Sequence, residues 1–211
     1  MKIVVLGGSG FLGSHVADEL SKKGHKVKIF DKKKSKWIRP DQEMYIGDIL
    51  NTKDLDNAIK GTDFVFHFAA LSNLNQALKD PINTVRVNIL GTVLALESCH
   101  KHKIKRFINA STIYVNSIEG GFYRSSKRAA EDYVEEFKKN CGLNYTILRF
   151  GSLYGQRSDN TNGVRLILKN AIFNNEISYS GSRKTVRSYI HILDAAKACV
   201  DTLKKKYENK H

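Results

Sequence analysis

Long apolar runs, paired cysteines and arginine-rich stripes are all missing from this 211-residue chain. No run approaches the roughly 20 apolar residues that cross a bilayer, so no membrane partner is expected. Nothing resembles a signal peptide either: the first apolar segment starts at once, without a basic prelude. The three cysteines, Cys99, Cys141 and Cys199, are odd in number and widely spaced. That excludes a disulfide framework or a cysteine metal cluster, and reduced thiols in a cytoplasmic protein are the expectation. His15, His25, His100 and His102 show no ligand spacing with a carboxylate or cysteine, so no metal is assigned. Acidic residues are outnumbered, 21 against 35 Lys and Arg, for a net charge of +14. The lysines are scattered over helix faces and termini and are not interleaved with aromatics. They read as a solvated surface that favours anionic small molecules, and no nucleic-acid partner is expected.

What is present starts at residue 2. Ile3 to Leu6 is an apolar run suited to a strand buried on both faces. Gly7, Gly10 and Gly13 follow, and Ser14 to Lys23 has the pattern of an amphipathic helix. A glycine turn between strand and helix leaves backbone N–H groups uncovered at the helix's positive end, where a pyrophosphate binds without a side chain in its way. In this position the spacing indicates a dinucleotide site.

Strand and helix patterns alternate through the rest of the chain. The expected strands are Lys26 to Phe30, Met44 to Ile46, Phe64 to Phe68, Arg106 to Ala110 and Tyr145 to Arg149. The expected helices are Thr52 to Lys60, a long one from Pro81 to about His100 with Asp80 as its cap, and Tyr123 to Lys139. Such alternation predicts an α/β fold, a doubly wound parallel sheet with helices on both faces. Past Gly155 the chain turns polar. Gly163 to Asn174 and Leu193 to Lys205 read as helices, with a short β segment from Val186 to Ile190 between them. The expected division is a nucleotide-binding domain over 1–150 and a partial substrate-binding lobe over 151–211.

Asp31 ends the second strand about twenty residues past the glycines, where a carboxylate accepts hydrogen bonds from the adenosine ribose hydroxyls. That favours NAD over NADP, although Lys32 to Lys34 could compensate a 2′-phosphate. Asp48, after the third strand, falls near the adenine by the same geometry; an ordinary turn residue is the competing reading. Tyr123 and Lys127 are four apart on one helix face. An ammonium near a phenol stabilises the phenolate and is expected to lower its pKa from about 10, so that the tyrosine exchanges a proton with a substrate hydroxyl. The pair follows the fifth strand and the hydroxyls of Ser111 and Thr112, at the carboxyl end where such sheets present ligands.

With these residues placed, the chain resembles an extended short-chain dehydrogenase/reductase of the NAD-dependent epimerase/dehydratase family. Gly7-x-x-Gly10-x-x-Gly13 is similar to the family's fingerprint, His67-Phe-Ala-Ala70 to its segment after the fourth strand, and Tyr123-Arg-Ser-Ser-Lys127 to its active-site motif. Leu148 to Gly155 and Val186 to Asp194 resemble two later signatures around a nucleotide-sugar site. The resemblance implies a Rossmann-type sheet and bound NAD, contacted by Gly7, Gly10, Phe11, Leu12, Gly13, Asp31, Asp48, Ile49, Phe68, Ala69, Ala70, Tyr123 and Lys127. It also implies Thr112, Tyr123 and Lys127 as the catalytic set, with Ser152 and Arg187 on a nucleotide-sugar substrate. The implied chemistry is removal and return of a hydride at a sugar carbon through a keto intermediate, C4 of a UDP-hexose being the leading case. A homodimer is common in such proteins; the apolar stripes of the two long helices are equally explained by packing on the sheet.

The sequence departs from the family pattern at several points. Ile113 and Tyr114 stand where dehydratases carry an acidic pair, which argues for an epimerase or a keto-sugar-nucleotide reductase. Ser152 stands where many epimerases have asparagine. The segment from Thr112 to Tyr123 is short, and the chain stops soon after Asp194, so the substrate lobe is expected to be small and truncated. A non-catalytic NAD(P)-binding sensor is the alternative from another class; an intact Thr112, Tyr123 and Lys127 speaks against it.

Overall fold

A computed structural model of the chain describes residues 1–178, 184 and 186–211. Six parallel strands form the main sheet: β1 (Lys2–Leu6), β2 (Lys26–Asp31), β3 (Gln42–Ile46), β4 (Phe64–His67), β5 (Arg106–Thr112) and β6 (Tyr145–Phe150), in the order β3-β2-β1-β4-β5-β6. This is the doubly wound arrangement, and the order reverses between β1 and β4, where such sheets open a ligand crevice at their carboxyl ends. The central strands form because their short apolar runs are covered on both sides; Val4, Val5, Leu6, Val65 and Phe66 are fully buried.

One face is covered by α2 (Thr52–Ile59), α5 (Gly91–Lys101) and α6 (Gly121–Cys141), through Leu55, Ala95, Leu96 and Val134. The other is covered by α1 (Phe11–Lys22) together with α8 (Ile192–Asp201). Asn51 caps α2 by accepting from the Lys53 and Asp54 N–H groups. The long helix expected from Pro81 is capped by Asp80 but is not uniform. It runs as α4 (Pro81–Val85), a π-helical turn over Arg86–Leu90, and α5, preceded by the short α3 (Leu74–Lys79).

Beyond β6 the chain forms β7 (Ser152–Tyr154), α7 (Gly163–Asn174) and β8 (Tyr189–His191), with β7 and β8 paired in parallel. The apolar core continues past residue 150. Ile192, Ala195, Ala196, Cys199 and Val200 of α8 belong to the same apolar cluster as Ile3, Val5 and Val16. Arg106, at the start of β5, anchors the return: its guanidinium donates to the carbonyls of Thr202 and Lys204 and pairs with Glu208. No helix among the described residues is long and apolar enough to cross a membrane.

Candidate active site

The glycine turn sits at the point where strand order reverses. Gly7 has φ +80° and lies against the segment after β4; a Cβ there would come within 2.5 Å of the Ala69 nitrogen. Gly13, inside the first turn of α1, faces the Gly7 carbonyl oxygen so closely that a Cβ would collide with it. Both positions therefore need glycine, one for backbone conformation and both for close approach. The turn is pinned by the Gly7 and Gly8 N–H groups donating to the Phe30 carbonyl, at 2.8 and 3.2 Å. Gly10 is the N-cap of α1 and no side chain caps it, so the N–H groups of the first turn, at Phe11, Leu12 and Gly13, are offered to an anion.

Asp31 closes the same corner. Its carboxylate accepts from the Ser9 N–H at 3.1 Å and from the Lys33 N–H at 3.2 Å, which holds it beside the glycine turn. Lys32 turns away to Asp48, 3.7 Å off, while Asp48 also accepts from the Leu50 N–H at 2.9 Å. Asp48 is thus a turn residue and a lysine partner at once. The Ile49 side chain is buried in the core against Gly91. Phe68, Ala69 and Ala70 line the far side of the turn, with the Phe68 N–H donating to the Leu6 carbonyl.

Across the crevice, Thr112 ends β5 and its Oγ1 accepts from the Tyr114 N–H at 3.3 Å. Tyr123 and Lys127 lie one turn apart near the start of α6, on the face that packs toward the sheet. Lys127 is 3% exposed. Burial lowers its pKa to about 8, opposed by Glu131, whose carboxylate is engaged by Arg149 at 2.7 Å. The expectation of a lowered tyrosine pKa is not met by the chain's own residues. Burial pushes Tyr123 up to about 12, and the neighbouring Tyr114 adds to the rise. Desolvation of the phenolate is the dominant cause.

One network is not legible in the sequence. Asn88, in the π-helical turn, accepts from the Leu71 N–H at 2.7 Å, donates to the Leu71 carbonyl at 3.1 Å, and donates to Ser126 Oγ at 2.9 Å. Ser126 in turn donates to the Tyr123 carbonyl. A buried amide thus ties the loop after β4 to the helix carrying Tyr123 and Lys127. Its only trace in the sequence is an asparagine on an otherwise apolar helix stripe.

Ser152 opens the small sheet, and Arg187 lies two residues before the sheet's second strand, β8. Ser152 opens β7 and its N–H donates to the Ser188 carbonyl at 2.8 Å, directly beside Arg187. The β segment expected from Val186 to Ile190 is observed as Tyr189–His191. Among the described residues no group of His, Cys, Asp and Glu could hold a metal ion.

The sequence model of the NAD dependent epimerase/dehydratase family matches residues 3–211. The chain belongs to this family. Its members are enzymes, and the glycine cradle, the uncapped α1 terminus and Asp31 are a donor set that fits the dinucleotide in the family's name. A Methanocaldococcus jannaschii protein provisionally named a UDP-glucose 4-epimerase is 29% identical, over 98% of this chain and 74% of its own length. Among solved structures, UDP-glucose 4-epimerase of Thermotoga maritima with UDP-glucose superposes with a TM-score of 0.90 at 28% identity, covering 100% of this chain and 75% of that one. UDP-glucose 4-epimerase of Thermus thermophilus in complex with NAD gives 0.86 at 26% identity, covering 96% and 74%. The chain therefore spans about three quarters of each of these relatives.

Proposed function

We propose that this family member is an NAD-dependent nucleotide-sugar epimerase acting at C4 of a UDP-hexose. The observation that carries the reading is convergence. The glycine turn, Asp31 and the α6 pair Tyr123 and Lys127 meet at the carboxyl edge of β1, β4 and β5, with Thr112 ending the last of these. Bound NAD supplies the hydride acceptor. Thr112 then holds the sugar hydroxyl, and Tyr123 takes and later returns its proton. Lys127 holds the nicotinamide ribose, and its ammonium favours the phenolate once positive charge is also present nearby.

Ile113 and Tyr114 follow Thr112, so no carboxylate stands beside it to expel water, which favours epimerisation over dehydration. A cavity of about 370 Å³ lined by Tyr154, Gly155, Ser158, Lys169 and Phe173 gives an apolar wall for a nucleoside, with cations at its rim for a diphosphate. Arg187, which precedes the Ser188 carbonyl bonded to Ser152, is the proposed diphosphate partner.

The test is incubation with NAD and UDP-glucose or UDP-N-acetylglucosamine, with the epimers resolved by NMR. Wild type is expected to turn over one of them without net consumption of NAD. Tyr123→Phe is expected to lose at least about 100-fold in kcat, the scale of general acid–base catalysis, while NAD affinity changes little. Stoichiometric consumption of NADH with a keto-sugar would instead make the protein a reductase. Failure of wild type to bind NAD sinks both readings.

A further inference from the structure

Beneath α6, on the sheet face opposite α1, three buried side chains hold polar atoms with no hydrogen-bond partner among the described residues. They are His67 Nδ1, both polar atoms of Asn109, and Ser111 Oγ. His67 and Asn109 are register partners on adjacent parallel strands, and Ser111 is two residues further along β5, so all three project from one face. Asn109 is fully buried and His67 and Ser111 nearly so. Buried polar groups of this kind are as a rule satisfied, by protein or by ordered water.

The tautomer of His67 follows from its neighbours. Thr92 Oγ1 spends its single proton on the Asn88 carbonyl, at 2.7 Å. It can therefore only accept from His67 Nε2, 2.9 Å away, which leaves His67 Nδ1 as a bare acceptor. The ring stays neutral because burial, and then the Lys127 charge, hold its pKa at about 3. Around it Asn109 offers donors and an acceptor, and Ser111 a hydroxyl. One water can donate to His67 Nδ1 and Asn109 Oδ1 while accepting from Asn109 or Ser111.

The same chain of bonds leads to the reactive helix. His67, Thr92 and Asn88 connect to Ser126, the residue before Lys127. We propose that Asn109, with His67 and Ser111, holds ordered water between the sheet and α6, and that this water solvates the buried Lys127 ammonium. Asn109 is then a positioning residue for Lys127. The other charged and titratable groups that act on Lys127 are Glu131 on its own helix and His67 on β4, with Tyr123 one helical turn before it; Arg149 on β6 pairs with Glu131.

The site is tested in the full chain by ¹³C NMR titration of lysine Cε, the Lys127 signal being assigned with Lys127→Arg. Asn109→Leu removes the polar seat, leaves the ammonium less solvated, and is expected to lower the Lys127 midpoint by about one unit. Asn109→Ser keeps a polar seat with room for water and is expected to titrate like wild type. A crystal structure of wild type at about 1.5 Å is expected to show water within hydrogen-bond reach of His67 Nδ1 and Asn109. An unmoved midpoint in a folded Asn109→Leu variant, or a dry site, overturns the inference. Should that variant not fold, Ser111→Ala gives the same reading from the neighbouring hydroxyl. The consequence for turnover rests on the epimerase reading: the alkaline limb of kcat should move down with the NMR midpoint. A shifted midpoint in a protein that turns over no sugar nucleotide leaves the water site standing and sinks the epimerase reading alone.

Discussion

Two helices follow residue 150, and they meet opposite fates. α8 buries Ile192, Ala195, Ala196, Cys199 and Val200 against α1 and the sheet. The residues of α7 are all exposed or half-buried, and Leu168, Ile172 and Phe173 stand 55%, 73% and 76% exposed. Both carry apolar stripes, so periodicity alone does not tell them apart. The difference lies in what each stripe meets. α8 fills a groove that the sheet and α1 already shape, while α7 stands beside the small β7–β8 pair, which offers only a three-residue surface on each strand. The proposed cofactor side of the crevice is thus built from a closed core, and the proposed sugar side from elements that pack lightly. On that proposal the site holds its dinucleotide on rigid backbone and meets the variable part of its ligand on a surface that costs little to rearrange.

The contrast breaks most visibly at Ile192. Ile192→Ala, in the closed half, is expected to cost about 3 kcal/mol of stability in urea unfolding. A loss as small as that of a surface substitution would place α8 outside the core. Acid attacks the same half next. His67 keeps its pKa at about 3 by burial, against 6.5 when unfolded. The unfolded chain therefore takes up a proton that the folded chain refuses, and stability falls as pH drops through that window. Between pH 7 and pH 4 wild type is expected to lose about 3 kcal/mol more than His67→Gln, measured by denaturant titration at both pH values. The smallest effect belongs to the open half. Phe173→Ser is expected to change stability by less than about 0.5 kcal/mol. A cost above about 2 kcal/mol would show that α7 is as well seated as α8, and the contrast would dissolve.

Where the chain is buried on both faces, the fold is legible in the sequence. β1 and β4 are apolar runs bounded by turn residues, and the glycine spacing with Asp31 marks the switch point without any knowledge of strand order. Asp80 declares its helix start through capping, and for α2 the sequence offers Asn51 or Thr52, of which the structure uses Asn51. What escapes is set by partners distant in sequence. Ser152 to Tyr154 has no alternation to betray a strand and becomes one because Tyr189 to His191 lies alongside. The short α3 is one capped turn and a half, too brief for periodicity. The helix after Pro81 reads as continuous, yet it swells into a π-helical turn where Asn88 reaches both Leu71 and Ser126.

The site follows the same rule. Spacing identifies Tyr123 and Lys127, but the rise that burial imposes on the tyrosine is not legible there, because proximity is visible in a sequence and depth of burial is not. Likewise Asn109 reads as an ordinary strand residue, and Ser111 as no more than a hydroxyl near a strand end. Their buried, unpartnered atoms exist only once α6 has closed over the sheet.

Arg106 carries one more consequence. Its guanidinium binds Thr202, Lys204 and Glu208, 96 to 102 residues downstream, and it is 3% exposed. A cation committed to the interior at the base of a central strand therefore stays without its acceptors until that whole intervening stretch has been made. Loops of that length are slow to close, and contacts so remote in sequence set the pace of folding. The acceptors of this guanidinium are complete only once the segment that follows α8 has been made.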